Sequence, residues 1–326
     1  MKKIIIIGGA GYVGVMLTKE LLDQNYDVTI FDLFIYGTNV LINHPNLKVI
    51  KGDIRDSKLL EKSIPGHDAV IHLACISNDP SFELDSKLGK SINFDSFEPL
   101  VKISKNNDVK RFIYASSSSV YGIKDKPDVN EKDSCEPITD YSKFKLKCEE
   151  ILLNYNSDNF TTSIIRPATV CGYSPRQRLD LVVNILTNLA YHTRKIKVFG
   201  GEQLRPNIHI KDMVSSYILL LKSPINKVSG EVFNVGFENL KVIDIALKVK
   251  KIVGEDVVLK KEISNDNRSY HISAKKIMNQ LGFKPEHTIE DAIIELVEKF
   301  KKEEFKDTLN NEFYFNIKRM QNIKLS

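Results

Sequence analysis

Three glycines, spaced three residues apart, stand between an apolar run and an amphipathic run near the start of the chain. The run "KKIIIIG" predicts a buried strand, and "GVMLTKELLDQN" predicts a helix with its leucines on one face. In a turn between such elements Gly8 permits the tight change of direction, Gly11 lets the backbone approach a pyrophosphate, and Gly14 lets helix and strand pack closely. The N–H groups at the helix N-terminus favour phosphate. The turn therefore predicts a dinucleotide-binding unit.

The second predicted strand, "DVTIFD", ends in a carboxylate. Its last residue, Asp32, lies 18 residues after Gly14, and an acidic residue at about this distance meets the ribose of a bound dinucleotide. A carboxylate there accepts a hydrogen bond from a ribose 2′-hydroxyl and repels a 2′-phosphate. The sequence therefore predicts NAD, rather than NADP, as the cofactor.

Strand-like and helix-like segments alternate through the first half of the chain and become less regular in the second half. Such alternation indicates βαβ units, so we predict an α/β fold with a doubly wound parallel (Rossmann) sheet and a smaller mixed α/β C-terminal substrate lobe. We assign residues 1–170 to an NAD-binding domain, with parts of 203–240 returning to it, and residues 171–326 mainly to a substrate-binding lobe. The polar tail from about Glu303 is expected to be partly disordered or an oligomer contact.

Composition argues against several classes of protein. The 326 residues include 47 basic and 42 acidic ones, and the net charge of +5 is spread along the chain, so no nucleic-acid partner is expected. The four cysteines lack metal-ligand spacing, so we predict no metal site and free thiols in a reducing compartment. The start "MKKIIIIGG" is too short for a signal peptide or a membrane span, so we expect a cytoplasmic protein with no membrane partner.

A tyrosine and a lysine four residues apart supply candidate acid–base chemistry. In "DYSKFKLK" a predicted helix places Tyr141 and Lys145 on one face. Tyrosine ordinarily titrates near pH 10, but a neighbouring lysine cation and the positive charge of an oxidised nicotinamide both favour the phenolate. Tyr141 is therefore the candidate general base, and Lys145 is also a candidate to hold the nicotinamide ribose.

The run "YASSSSVYG" offers four serine hydroxyls directly after the predicted strand "VKRFI". Ligands of open α/β sheets bind beyond the carboxyl ends of the strands, which makes these hydroxyls candidates for substrate contact. Taken alone, the run is also compatible with a serine-rich turn that has no function. Ser117 lies 24 residues before Tyr141, in a chain that also carries the glycine turn, and this combination favours a functional site.

Together these segments resemble the extended short-chain dehydrogenase/reductase family, of the NAD-dependent nucleotide-sugar epimerase/dehydratase type. The resemblance rests on the glycine spacing, "GDIRD", "HLA", the Ser/Thr-x-x-Val/Ile-Tyr pattern and the Tyr-x-x-x-Lys pair, and it covers most of the chain. It implies Ser117, Tyr141 and Lys145 as catalytic residues, with Ser116 as the second choice of serine, and Asn93 as an active-site scaffold. The cofactor-binding residues that it implies are Gly8, Gly11, Tyr12, Val13, Gly14, Asp32, Asp53, Ile54, Leu73, Ala74, Tyr141 and Lys145.

The same resemblance implies a nucleotide-diphosphate sugar as the substrate. The segment "IIRPATVCG" departs from the family pattern, since Thr169 replaces an asparagine and Cys171 a tyrosine. Arginine forks suit phosphate oxygens, and the segments "YSPRQRLDL", "LRPNIHIKD" and "NDNRSYHIS" supply them. The predicted substrate-binding residues are Ser77, Asn78, Ser118, Thr169, Arg176, Arg178, Arg205 and Arg268.

Two further serines bear on the type of reaction. In the family, 4,6-dehydratases carry an Asp-Glu pair at the positions of Ser118 and Ser119, and a 3,5-epimerase type carries a cysteine at the position of Ser119. Since neither feature is present, we expect a C4 epimerase that acts through transient oxidation to a 4-keto-sugar. A 4-dehydrogenase or 4-ketoreductase with the same residues, and a non-catalytic protein that binds NAD or a nucleotide sugar, are the alternatives. The resemblance also implies a homodimer, formed through helices at about 94–106 and 141–156.

Overall fold

The fold is built from alternating strands and helices, and the computed structural model of the protein describes residues 1–124, 126–263, 271–323 and 325. The strands are β1 (Lys3–Ile7), β2 (Asp27–Asp32), β3 (Leu47–Lys51), β4 (Ala69–His72), β5 (Arg111–Ala115), β6 (Thr161–Pro167), β7 (Thr169–Cys171), β8 (Lys195–Phe199), β9 (Leu204–His209), β10 (Glu231–Val235), β11 (Glu238–Lys241) and β12 (Val258–Glu262). The helices are α1 (Tyr12–Asp23), α2 (Ser57–Ser63), α3 (Asp79–Glu83), α4 (Ser86–Lys90), α5 (Phe97–Asn106), α6 (Asp140–Tyr155), α7 (Val182–Thr193), α8 (Ile210–Lys222), α9 (Val242–Val253), α10 (Lys275–Leu281), α11 (Ile289–Lys301) and α12 (Asn316–Asn322).

Seven of these strands form one parallel sheet in the order β10-β6-β5-β4-β1-β2-β3. The chain builds outward from β1 to β3 and then returns to place β4 on the other side of β1. The carboxyl ends of β1 and β4 therefore lie side by side where the direction of winding reverses, which is where open α/β sheets bind ligands. The predicted doubly wound parallel sheet is confirmed.

The central strand β1 is buried on both faces of the sheet, because its four isoleucines, Ile4 to Ile7, have no exposed surface. Side chains alternate along a strand, so Ile4 and Ile6 join the apolar core that contains Leu21 of α1. Ile5 and Ile7 join the core on the opposite face, which contains Leu100 of α5. Helices therefore cover both faces, and polar groups from the loops meet at the carboxyl ends of the strands.

A smaller mixed region lies beside the main sheet, as the predicted fold class requires. In it β7 pairs with β9 in parallel, β9 pairs with β11 in antiparallel orientation, and β8 pairs with β12 in parallel. The helices α7, α9 and α11 share one apolar core, which contains Val183, Ile245 and Ile293. The loop between β7 and α7 reaches back to the main sheet and contributes to the site described below.

The polar tail is folded, so the expectation of partial disorder was wrong for the described residues. After α11 the chain turns back, and α12 spans Asn316–Asn322. Phe305 and Tyr314 pack in an apolar cluster with Leu296 and Phe300 of α11. The few aromatic residues of the tail are enough to fix it, although its overall composition is polar.

No helix within the described ranges is long and apolar enough to cross a membrane. Across the same ranges, no group of three or more His, Cys, Asp or Glu side chains is placed so that it could hold a metal ion. The four cysteines are free thiols.

Candidate active site

A cavity of about 540 Å³ lies at the carboxyl ends of the central strands. Gly8 and Asp32 line one part of it, and Ser117, Tyr141 and Lys145 also belong to its wall. The structure therefore brings the glycine turn, the predicted ribose carboxylate and the serine–tyrosine–lysine set into one site, although they are far apart in the sequence.

Two of the three glycines are required by the backbone of the protein itself. Gly8 has a φ of +86°, in the left-handed region, and a β-carbon there would collide with the backbone nitrogen of Ala74. A β-carbon at Gly14 would lie 2.7 Å from the carbonyl oxygens of Gly8 and Gly9. Glycine at these positions lets the ends of β1 and β4 and the first turn of α1 approach one another closely.

Gly11 differs, because the surrounding protein tolerates a side chain at this position. Its φ of −80° and ψ of 178° are open to any residue, and a β-carbon would lie 3.4 Å from the Gly8 oxygen, an ordinary contact. Gly11 lines the cavity at the N-terminus of α1, where backbone N–H groups are available to an anion. Glycine here fits the close approach of a dinucleotide pyrophosphate.

Asp32 ends β2 with a carboxylate that the backbone holds in place. The Ala10 N–H donates to one of its oxygens at 3.0 Å, and the Phe34 N–H donates to the other at 2.8 Å. Burial raises the pKa of Asp32, and these two hydrogen bonds act in the opposite direction. Each carboxylate oxygen can accept a further hydrogen bond, so the group fits the hydroxyls of a ribose.

The other predicted cofactor residues fall into two groups. The cavity wall includes Tyr12, Val13, Ile54, Leu73 and Ala74. Asp53 lies outside this wall, and its carboxylate forms an ion pair with Arg55 at 2.6 Å. The structure thus brings Ile54, but not its neighbour Asp53, to the cofactor end of the cavity.

Ser117 is placed to offer its hydroxyl to a substrate. Its Oγ accepts a hydrogen bond from the Ser119 N–H at 3.1 Å and lies 2.8 Å from the Ser119 Oγ, and both residues line the cavity. The hydroxyl of Ser116 donates instead to Glu149, which forms a buried ion pair with Arg166 at 2.6 Å. Because Ser116 is committed to this internal pair, the geometry favours Ser117.

Tyr141 and Lys145 both line the cavity from α6. The Lys145 Nζ donates to the carbonyl oxygen of Ala115 at 2.7 Å and lies 5.8 Å from the centre of the Tyr141 ring. Lys145 is 4% exposed and Tyr141 is 9% exposed. The lysine cation and the phenol therefore lie near each other with little water to screen the charge.

A capping box fixes the start of α6 and so the position of Tyr141. The Thr139 side chain accepts a hydrogen bond from the Ser142 N–H, and the Ser142 hydroxyl accepts one from the Thr139 N–H. The Thr139 hydroxyl also donates to Asp79 on the cavity wall. The first turn of α6 is thereby tied to the start of α3.

His72 is a neighbour of this pair that the sequence motifs did not single out. It is 2% exposed, and its ring stacks on Tyr114 with 5.6 Å between the ring centres. Burial, and next the charge of Lys145, lower the pKa of His72 to about 3. The imidazole is therefore neutral at physiological pH and adds no second cation beside Lys145.

Seven of the eight predicted substrate-binding residues belong to the cavity wall, namely Ser77, Asn78, Ser118, Thr169, Arg176, Arg178 and Arg205. Arg268 lies outside the described residues. Asn93, the predicted scaffold, holds the loop that carries Ser77 and Asn78. Its side-chain amide accepts from the Ile76 N–H at 2.8 Å and donates to the Ile76 oxygen at 3.0 Å.

The segment 172–180, here called the arginine loop, presents two buried cations to the cavity. Arg178 forms an ion pair with Asp180 at 2.9 Å, and Arg176 donates through Nη2 to Asn316 at 2.7 Å. Three other guanidinium nitrogens, Nε and Nη1 of Arg176 and Nη2 of Arg178, are buried without a hydrogen-bond partner in the described part of the chain. Such donors favour an anionic ligand nearby.

Several residues of the wall were missed in the sequence, namely Tyr36, Asp180, Asn316 and Met320. No local motif marks them. The hydrogen bond between Asn316 and Arg176, for example, joins residues 140 positions apart.

Dinucleotide binding beside a buried tyrosine–lysine pair is the arrangement of the short-chain dehydrogenase/reductase class. The chain matches the model of the NAD dependent epimerase/dehydratase family over residues 4–236, and it belongs to that family. The resemblance deduced from the motifs is confirmed, and with it NAD as the cofactor.

Known proteins of the family resemble this chain over most of its length. The UDP-glucose 4-epimerase of Lactobacillus helveticus is 27% identical over 316 residues, which cover 90% of this chain and 94% of that protein. The dTDP-D-glucose 4,6-dehydratase of Dictyostelium discoideum is 31% identical over 278 residues, or 77% of this chain and 62% of that protein. The structure of the UDP-glucose 4-epimerase of Thermotoga maritima with UDP-glucose has a TM-score of 0.84 at 24% identity, over 92% of this chain and 99% of that one. The comparisons support an enzyme of the nucleotide-sugar epimerase/dehydratase kind.

Replacing Gly11 with alanine should separate cofactor binding from folding. Alanine is a weaker N-cap than glycine, so Gly11→Ala should cost up to about 1 kcal/mol of stability. Its methyl group should weaken NAD binding about tenfold, since a forced contact costs on the order of 1–3 kcal/mol. Calorimetric titration with NAD and thermal melting measure the two effects.

Gly14→Ala is the matched control, because its clash lies within the protein and should lower the melting temperature further. Unchanged NAD affinity in Gly11→Ala would contradict the placement of the pyrophosphate at this turn.

Proposed function

We propose that the protein is a nucleotide-sugar C4 epimerase that acts by transient oxidation of its substrate to a 4-keto-sugar. The observation that carries the proposal is a single cavity wall that contains Ser117, Tyr141 and Lys145, with hydroxyls rather than carboxylates at positions 118 and 119. The 4-epimerases among the similar proteins support it.

We propose that the protein recognises its substrate through a nucleoside diphosphate group. Arg178 on the arginine loop and Arg205 on β9 both belong to the cavity wall. Guanidinium groups bind phosphate oxygens through paired hydrogen bonds. Ser77 and Asn78, on the loop after β4, are the proposed contacts of the sugar hydroxyls.

NAD, when bound, supplies the centre that accepts a hydride from the sugar and gives it back. The glycine turn, Asp32 and Lys145 are the groups of this chain that would hold it. Tyr141, kept as the phenolate by the Lys145 cation, removes the proton from the C4 hydroxyl. Ser117 hydrogen-bonds the same oxygen and orients it. As the proton leaves, the oxygen forms the carbonyl and C4 loses its hydride.

Inversion follows from the reverse of this step on the other face of the sugar. After the keto-sugar turns in the cavity, C4 regains a hydride from the opposite side, and Tyr141 returns the proton to the oxygen. Substrate and product then have the same mass, and no net oxidation takes place.

Elimination of water is disfavoured, because the cavity wall has no paired acid and base at positions 118 and 119 and its carboxylates are already engaged in hydrogen bonds. Ser118 and Ser119 cannot replace a paired acid and base for elimination. The carboxylates among the described wall residues are Asp32, Asp79 and Asp180. Each already accepts a hydrogen bond, from backbone N–H groups, from a threonine hydroxyl and from an arginine, respectively.

A 4-dehydrogenase or 4-ketoreductase is the second candidate, because it would use the same residues and stop after one hydride transfer. A binding protein without activity is a weaker candidate, since its catalytic set would have no reason to stay complete and buried together.

The mass of the product tests the proposal. The purified protein is incubated with UDP-, GDP-, CDP- and dTDP-sugars, with and without added NAD, and the products are separated and weighed. A new product of unchanged mass is expected. Loss of two hydrogens would indicate a dehydrogenase, gain of two from a keto-sugar with NADH a reductase, and loss of water a dehydratase. Each of these would contradict the epimerase assignment.

Replacing Tyr141 with phenylalanine removes the proton acceptor and leaves the ring in place. Turnover in Tyr141→Phe should fall by about 10²- to 10⁴-fold, the usual contribution of a general base, while NAD affinity persists. Tyr155→Phe is the control, because Tyr155 lies at the far end of the same helix and bonds to Glu98. Near-normal turnover in Tyr141→Phe would remove the mechanism.

A further inference from the structure

The C-terminal helix α12 lies on the loops that surround the nucleotide end of the cavity. Arg319 Nε donates to the carbonyl oxygen of Ile35 at 2.6 Å, in the loop directly after Asp32. Met320, one residue on, belongs to the cavity wall. The tail is therefore in direct contact with the part of the chain that fits the adenosine ribose of NAD.

Asn316, at the start of this helix, joins the arginine loop to the loop that carries Ser77. Its Oδ1 accepts from Arg176 Nη2 at 2.7 Å, and its Nδ2 donates to the Ser77 hydroxyl at 2.7 Å. Because a guanidinium can only donate, the amide orientation is settled by chemistry. The Asn316 N–H donates to Asp180 at 2.9 Å, and Asp180 in turn holds Arg178. Asn316 is 4% exposed.

Arg176 depends on these contacts for its position. Its guanidinium carbon lies 3.5 Å from the centre of the Tyr36 ring, and Tyr36 belongs to the same loop as Ile35. Burial lowers the pKa of Arg176 to about 10, so the side chain remains charged at neutral pH. The arginine is thus clamped between the ribose-side loop and the tail, with two guanidinium nitrogens left for an anion.

The other side of the arginine loop is tied to the glycine turn. The Tyr12 hydroxyl donates to the Gly172 oxygen at 2.6 Å, and the Ser174 hydroxyl donates to the Tyr12 oxygen at 2.8 Å. The arginine loop therefore spans from the pyrophosphate turn to α12. Movement of the tail would act directly on the walls of the cofactor end.

The tail lies outside the segment that defines the family, since the family model ends at residue 236. The match to the family model therefore assigns no role to the tail.

We propose that Asn316 and Arg319 are positioning residues of the NAD site, through which α12 holds the arginine loop and the Ile35–Tyr36 loop closed over the adenosine half of the cofactor. The consequence is slow release of NAD, as suits an enzyme whose cofactor is regenerated in place. The inference is tested with NADH and without sugar, and it stands whether the sugar reaction is epimerisation or net hydride transfer.

The rate of NADH release tests this inference without any sugar. Full-length protein is loaded with NADH, mixed with excess NAD, and followed by nicotinamide fluorescence. Asn316→Ala and Arg319→Ala should each release NADH at least about tenfold faster, since each variant loses a hydrogen bond that involves a charged guanidinium group. Gln321→Ala, on the exposed part of the same helix, should behave as the unmodified protein.

Asn316→Asp separates positioning from a merely structural role. The aspartate keeps an acceptor for Arg176, so this variant should hold NADH nearly as well as the unmodified protein, whereas Asn316→Ala does not. Release at the unmodified rate from both alanine variants would overturn the inference, whatever their melting temperatures. Equally fast release from Asn316→Asp and Asn316→Ala would also overturn it, because Arg176 would then not be the route.

Discussion

The burial of β1 on both faces determines where this protein can do chemistry. Ile4 to Ile7 send alternate side chains into two separate apolar cores, so neither face of β1 can carry a polar site. Ligand-binding groups are confined to the ends of the strands. The return of the chain from β3 to β4 opens a crevice there, beside the end of β1. The glycine turn, Asp32 and the serine run all meet at this crevice because each lies at, or directly after, the carboxyl end of a strand.

Burial also strengthens the electrostatic interactions of the charged groups that line the cavity. Lys145 and Tyr141 are both shielded from bulk water, and the neutral His72 adds no second positive charge beside Lys145. Arg176 and Arg178 are buried cations whose donors are only partly used within the described residues. Holding such groups costs stability unless an anion offsets their charge, so we expect the binding of phosphate groups to stabilise the folded protein.

Local sequence patterns were sufficient to predict the site residues whose geometry depends on a short spacing along the chain. The glycine turn, Asp32, and the pair of Tyr141 and Lys145 each lie on one turn, strand end or helix face, so their sequence spacing already determines their geometry. The fold class followed from alternating segments for the same reason. The segment "GDIRD" was a less reliable guide to cofactor contacts. The carboxylate of Asp53 forms an ion pair with Arg55, and Asp53 is not part of the cavity wall.

Long-range contacts could not be predicted in this way. Asn316 contacts Arg176 and Ser77 across 140 and 239 positions, and no spacing rule connects residues so far apart. The fold of the tail was missed because its few aromatic residues are scattered among polar ones. Arg268, predicted from resemblance to bind substrate, lies outside the described residues and stays a prediction.

The proposed mechanism requires one cavity to hold NAD and a nucleotide sugar, with C4 between the cofactor and Tyr141. A crystal structure of the protein with NAD and UDP-glucose tests it most directly. The account predicts the sugar C4 oxygen within about 3 Å of both the Tyr141 hydroxyl and the Ser117 Oγ, with the adenosine ribose on Asp32. A sugar bound with another carbon at Tyr141, or a dinucleotide bound away from the glycine turn, would contradict it.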